Sequence, residues 1–126
     1  MHCLSRSLSM FVLAALLVVF LAGCQLSLSK QELSNQSLKV AVFDGGSIMK
    51  SYQAEQGSEI HEQISKLILN INKGWGVNFV SYAPGVMIYG DGFNINFVGD
   101  QAVYNGATGQ MTRKIKPHDY LFMISN

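Results

Sequence analysis

VMIYGDGFNINFVGDQAV, residues 86–103, contains two tight-turn signals, Asp91-Gly92 and Gly99-Asp100, with short β-rich runs around them. Such dipeptides suit two-residue loops between antiparallel neighbours, so a meander is predicted here. If both loops hold two residues, Val86 faces Phe97, Ile88 faces Ile95 and Phe97 faces Ala102; with Phe93 they share one surface of the sheet. The opposite surface then carries Met87, Tyr89, Asn94, Asn96 and Val103, and an even loop at Pro84-Gly85 adds Asn78, Val80 and Tyr82. A slip of one residue would exchange the two surfaces.

Outward from this meander, the segment before it has helical periodicity. Ile60, Ile64, Leu67, Ile68 and Ile71 form one apolar stripe, which predicts an amphipathic helix over about 58–73. Ser58 is placed to cap it, Glu59 and Glu62 suit its positive end, and Lys73 and Gly74 suit its termination. Earlier still, LKVAVF at 38–43 is followed by Asp44-Gly45-Gly46 and a second β-rich run, which predicts an N-terminal β-hairpin. Beyond the meander, Asn105-Gly106 signals a turn, 110–116 is a further strand candidate, and YLFMI at 120–124 is read as a closing strand. The expected class is α+β: the hairpin, then one helix laid over an antiparallel meander of four or five strands.

The first residues tell a different story. A start carrying Arg6 leads into an apolar run at 10–20, then Leu21-Ala22-Gly23-Cys24. A membrane-spanning helix needs roughly 20 apolar residues, and 10–23 falls short. A basic beginning, a short apolar core and small residues before a cut point make a secretory signal, and the cysteine at the cut makes the stretch resemble the lipobox of bacterial lipoproteins. The resemblance covers residues 1–24 alone. It implies that Cys24 receives a diacylglyceryl group, that type II signal peptidase removes residues 1–23, and that the new amino terminus is often acylated. With about 0.8 kcal/mol per buried methylene, one chain is a marginal anchor and two or more a stable one. Gln25, rather than Asp, implies the periplasmic face of the outer membrane in a diderm host. The expected organisation is a cleaved signal peptide at 1–23, a lipidated Cys24 with a flexible tether through residue 37 spanning about 20 Å, and a single domain at 38–126.

Composition narrows the function. The chain has nine Lys and Arg against eight Asp and Glu, and loss of Arg6 with the signal leaves the two signs balanced. That speaks against a nucleic-acid partner, which calls for a basic field. Of the two cysteines, Cys3 would leave with the signal and Cys24 would carry lipid. The mature domain is therefore expected to hold by packing, without a disulfide or a nucleophilic thiol.

Several residues are candidates for chemistry. Tyr82, Met87, Tyr89, Asn94 and Asn96 share the second sheet surface and could bind a partner through flat contact area and adaptable hydrogen bonds. Alternatively, they are simply the wet side of a half-exposed sheet. His61-Glu62 begins an H-E-x-x-H zinc helix, but position 65 is Ser, so no metal and no cofactor is expected; His61 and His118 are read as surface residues. His118-Asp119 is the one pairing suggestive of hydrolysis, yet no G-x-S-x-G turn accompanies it. Gly45-Gly46-Ser47 lacks the rest of a phosphate loop. Arg113, Lys114 and Lys116 either guard a sheet edge or meet anionic headgroups. Trp75 is expected to cover the helix end of the core. The expectation is thus a lipid-anchored, non-enzymatic envelope protein whose partners are the membrane, through Cys24, and a protein or envelope polymer. The alternatives are a small hydrolase using His118 and Asp119 and a purely structural lipoprotein.

Overall fold

The computed structural model describes residues 24–77, 81–107 and 109–126. The predicted leader at 1–23, and Asn78 and Val80 of the second surface, lie outside the described residues. In chain order the elements are α1 (Lys30–Ser34), β1 (Leu38–Asp44), β2 (Ser47–Ala54), α2 (Glu59–Asn70), β3 (Gly76–Val77), β4 (Val86–Gly90), β5 (Phe93–Val98), β6 (Gln101–Gly106), β7 (Gly109–Lys114), a 3-10 turn (Pro117–Asp119) and α3 (Phe122–Ser125). The strands form one seven-stranded sheet in the order β2-β1-β4-β5-β6-β7-β3, and every pairing is antiparallel. This sheet is larger than the expected four or five strands because β1 pairs with β4, which joins the N-terminal hairpin to the meander.

The expected register is the one observed. Val86 pairs with Phe97, Ile88 with Ile95 and Phe97 with Ala102, so the 91–92 and 99–100 loops each hold two residues. The first hairpin also closes on two residues, Gly45 and Gly46, both at positive φ (58° and 85°). This is the left-handed pair that a tight hairpin needs to match the twist of its strands. The turn expected at Asn105-Gly106 falls two residues later: both residues remain in β6, and Gly106 pairs with Gly109.

Val40, Val42, Val86, Ile88, Phe93, Ile95, Phe97, Ala102, Tyr104 and Met111 line one face of the sheet, in one cluster with Ile64, Leu67, Ile68 and Ile71 of α2. Large apolar side chains buried this way each contribute about 1.5–3 kcal/mol. Ser58 caps α2, its hydroxyl accepting from His61 N–H at 3.2 Å. The helix stops at Asn70, with Ile71 as its C-cap, three residues short of the expected 73. The chain turns away there because Asn72 O accepts from Leu26 N–H and Trp75 pairs its backbone with Cys24. Trp75 is fully buried, as expected, its indole edge-on to Tyr104.

Two segments differ from expectation in kind. Residues 25–37 are not a free tether: Leu26, Leu28 and Leu33 are buried in the core, and 30–34 form a helical turn capped by Ser29. The folded unit therefore reaches back to Cys24 rather than beginning at 38. The C-terminal YLFMI is helical rather than a strand. Pro117 opens a 3-10 turn, and Tyr120 and Met123 then meet the core at a spacing of three. Tyr120 stacks on Phe97 with ring centroids 5.3 Å apart and donates its hydroxyl to Gly99 O at 2.9 Å.

Candidate functional site

Of the five residues singled out for binding, Met87, Tyr89, Asn94 and Asn96 lie on the second sheet face and Tyr82 reaches it from residues 81–85, and the structure divides them. The central row of this face, Ala41, Met87, Asn96 and Val103, is buried. Residues 81–85, expected as the end of a strand followed by a loop at Pro84-Gly85, instead form a strap against this row. Asn96 holds the strap: its Oδ1 accepts from Gly85 N–H at 2.8 Å and its Nδ2 donates to Ala83 O at 3.3 Å. Gly85 has to be glycine there, since a Cβ would sit 2.2 Å from Phe97 O. Met87 and Asn96 are thus internal packing residues, neither a wet surface nor an open binding site. Burying Asn96 costs little because both ends of its amide are satisfied.

The neighbouring row, Lys39, Tyr89, Asn94, Asn105 and Gln110, stays partly open across five strands. Its amides form a ladder: Asn105 Nδ2 donates to Asn94 Oδ1 at 3.1 Å and to Tyr82 Oη at 2.9 Å, and Gln110 Nε2 donates to Asn105 Oδ1 at 3.1 Å. Tyr89 donates to Met87 Sδ, and Lys39 Nζ lies 6.0 Å from the Tyr89 ring centroid. Tyr82, Tyr89 and Asn94 are therefore brought together. Asn105, Gln110 and Lys39 complete the row, and the sequence reading missed them. The turn placed at Asn105-Gly106 hid Asn105, but the strand parity that found Asn94 would have found it too.

Cys24 occupies the opposite end of the sheet from β2. Its N–H donates to Trp75 O at 2.7 Å and its O accepts from Trp75 N–H at 3.1 Å, which adds one residue outside β3. Its sulfur is disulfide-bonded in the full-length chain. Around this edge lie exposed Lys73, Gly74, Gly76, Val77 and Lys114. Arg113 donates from Nη1 to Lys73 O at 2.6 Å and from Nε to Lys114 O at 2.9 Å, so its guanidinium fastens β7 to the residues after α2.

The histidines separate. His61 is buried, contrary to the surface reading, with its Nε2 2.8 Å from Gln36 O. Gln36 in turn accepts at Oε1 from Asp91 N–H and donates from Nε2 to Glu32 O, so it joins α1, α2 and the β4–β5 loop. His118 has a side chain 95% exposed, and its Nδ1 lies 3.9 Å from Asp119 Oδ1, too far for a hydrogen bond. Asp119 lines an open cleft of about 480 Å³ with Gln63, Lys66, Asn70, Arg113 and Phe122, over a floor of Leu67 and Ile71. Among the described residues no three His, Cys, Asp or Glu side chains converge as metal ligands. Likewise, no described helix is long and apolar enough to cross a membrane.

No protein-family model, curated protein or solved structure matches the chain.

Proposed function

We propose that the protein is a bacterial lipoprotein whose small α+β domain is a non-enzymatic binding or accessory module of the cell envelope. The observation that carries this reading is Leu21-Ala22-Gly23-Cys24 directly after a short apolar run. Residues 1–23 serve as the signal peptide and are removed, and Cys24 carries a diacylglyceryl group. Gln25 at the next position favours the periplasmic face of the outer membrane where the host has one. Cleavage takes away Cys3, the one other cysteine, and leaves the Cys24 sulfur for a thioether. It removes none of the core described above, since among the described residues the buried side chains begin at Leu26.

Contact with a protein or envelope polymer falls to the open row on the second sheet face. Tyr82, Tyr89 and Asn94 present rings and an amide there, while Met87 and Asn96 beneath the strap hold the surface in shape. The test is metabolic feeding of an alkyne-bearing fatty acid to cells making the full-length chain. The wild type should become labelled and lose its leader, and Cys24→Ala should remain unlabelled and unprocessed. Absence of label from the wild type would refute the lipoprotein reading.

A further inference from the structure

The membrane anchor and the fold meet at one residue, and this fixes more than attachment. A lipoprotein on a long flexible tether tumbles freely above its bilayer. Here the residue assigned to carry the lipid is itself part of the sheet, paired through both backbone groups to Trp75. Leu26, two residues later, is in the core and donates to Asn72 O at 2.8 Å. No slack remains between acyl chains and domain.

We propose that the β3 edge of the sheet is a bilayer-docking surface for anionic phospholipid headgroups, so that the domain stands with its strands parallel to the membrane and β2 outermost. This rests on lipidation of Cys24 and adds an orientation and a lipid preference to it. Three observations converge on the edge. Among the described residues Cys24 is its outermost. Val77, 55% exposed, is an apolar side chain at the same edge, placed to enter the headgroup boundary beside the acyl chains. Cations gather beside the edge: Lys73 and Lys114 are exposed, and Arg113 lies between them, joined to both carbonyls, while Asp100 stands next to Gln101, the strand partner of Lys114. Lys66 lines the cleft next to Arg113, and Asp119 is the one carboxylate lining it. Cations held close to an anionic surface favour docking about fivefold each, and the lipid keeps them there.

The far edge has the opposite character. Six strand spacings separate β3 from β2, which at about 4.8 Å each puts β2 roughly 29 Å away. There Ile48 and Met49 are exposed, at 58% and 55%. Docking at β3 holds them clear of the bilayer, where an envelope partner can reach.

The experiment uses full-length chain processed in its host, purified in detergent and reconstituted into vesicles of phosphatidylethanolamine with phosphatidylglycerol. A single cysteine is introduced as Val77→Cys in one preparation and Ile48→Cys in another, each labelled with a fluorophore; both sites are exposed, and circular dichroism checks the fold. Headgroup spin-labelled lipid should quench the probe at 77 strongly and the probe at 48 hardly at all. Replacing phosphatidylglycerol with phosphatidylcholine, or introducing Lys73→Gln with Lys114→Gln, should weaken quenching at 77, with docking falling about fivefold per lysine lost. Intact mass of the same preparations separates the two ways of failing. Lipid present on Cys24 with equal quenching at both sites overturns the orientation alone, whereas absence of lipid overturns the anchor and the orientation together.

Discussion

Leu33→Ala distinguishes a tether from a folded segment. Leu33 lies in α1, between residues that a sequence reading takes for a flexible leash, and it is fully buried in the core. Truncation removes three carbon groups at about 0.8 kcal/mol each and leaves a cavity that the surrounding Leu and Ile side chains close only in part. Buried Leu-to-Ala changes cost about 2–5 kcal/mol, and about 3 kcal/mol is expected here. Domains of this size hold about 5–15 kcal/mol in all, so the loss is a large share. The assay is urea unfolding of residues 24–126 carrying Cys24→Ser, with Gln31→Ala, an exposed neighbour on the same helix, as reference. The denaturation midpoint should fall at unchanged slope, and Tm should drop by roughly 12–24 °C at about 4–8 °C per kcal/mol. A cost below about 0.5 kcal/mol, the level of a surface substitution, would refute the placement of 25–37 in the fold.

Further outcomes follow from the same contacts. Asn96→Ala leaves Gly85 N–H and Ala83 O without their partner and should cost about 1–3 kcal/mol, with faster hydrogen exchange at the Gly85 amide as its local signature. Gly85→Ala forces a Cβ against the Phe97 carbonyl and should destabilise by about 1–3 kcal/mol; a neutral result in thermal unfolding would contradict the close approach of the strap. Tyr52, Tyr104 and Tyr120 all have pKa values raised above 10.0 by burial, with Glu32 adding to the effect at Tyr104 and Asp100 at Tyr120. The folded state keeps these protons after unfolded tyrosine has lost them, so stability is complete below about pH 10 and declines as pH rises beyond it. Thermal melts across that range should show the decline, and part of the tyrosinate absorbance should appear above the ordinary range.

The sheet was legible where local chemistry dictates geometry. Asp91-Gly92, Gly99-Asp100 and Gly45-Gly46 name short loops, and loop length alone fixes which side chains share a face. The α2 stripe was equally plain, because burial on one side of a helix writes itself into the spacing of Ile60, Ile64, Leu67 and Ile71. What could not be read locally was long-range cover. Leu26, Leu28 and Leu33 sit among Ser, Gln and Lys with no sustained period, and it is their contacts with distant parts of the core that bury them. His61 falls on a helix whose pattern fits an exposed polar residue, and it is the Gln36 carbonyl, 25 residues away in sequence, that makes its burial tolerable. Asn96 alternates with apolar neighbours as an outward residue should, and it is the backbone of the strap at 81–85 that satisfies its amide on that outward side. YLFMI fits strand propensity by composition, whereas the 3-10 turn at Pro117 sets the chain on a helical course. For the site, parity found Tyr82, Tyr89 and Asn94 but could not tell them from Met87 and Asn96, because the difference lies in what covers each.

The central claim is a thioether-linked lipid on the first residue of the folded unit. Intact-mass analysis of the protein purified from its bacterial host should give residues 24–126 plus a diacylglyceryl group, with or without an amino-terminal acyl chain. A mass equal to the unmodified full-length chain, with residues 1–23 retained and Cys24 in its disulfide, would contradict it.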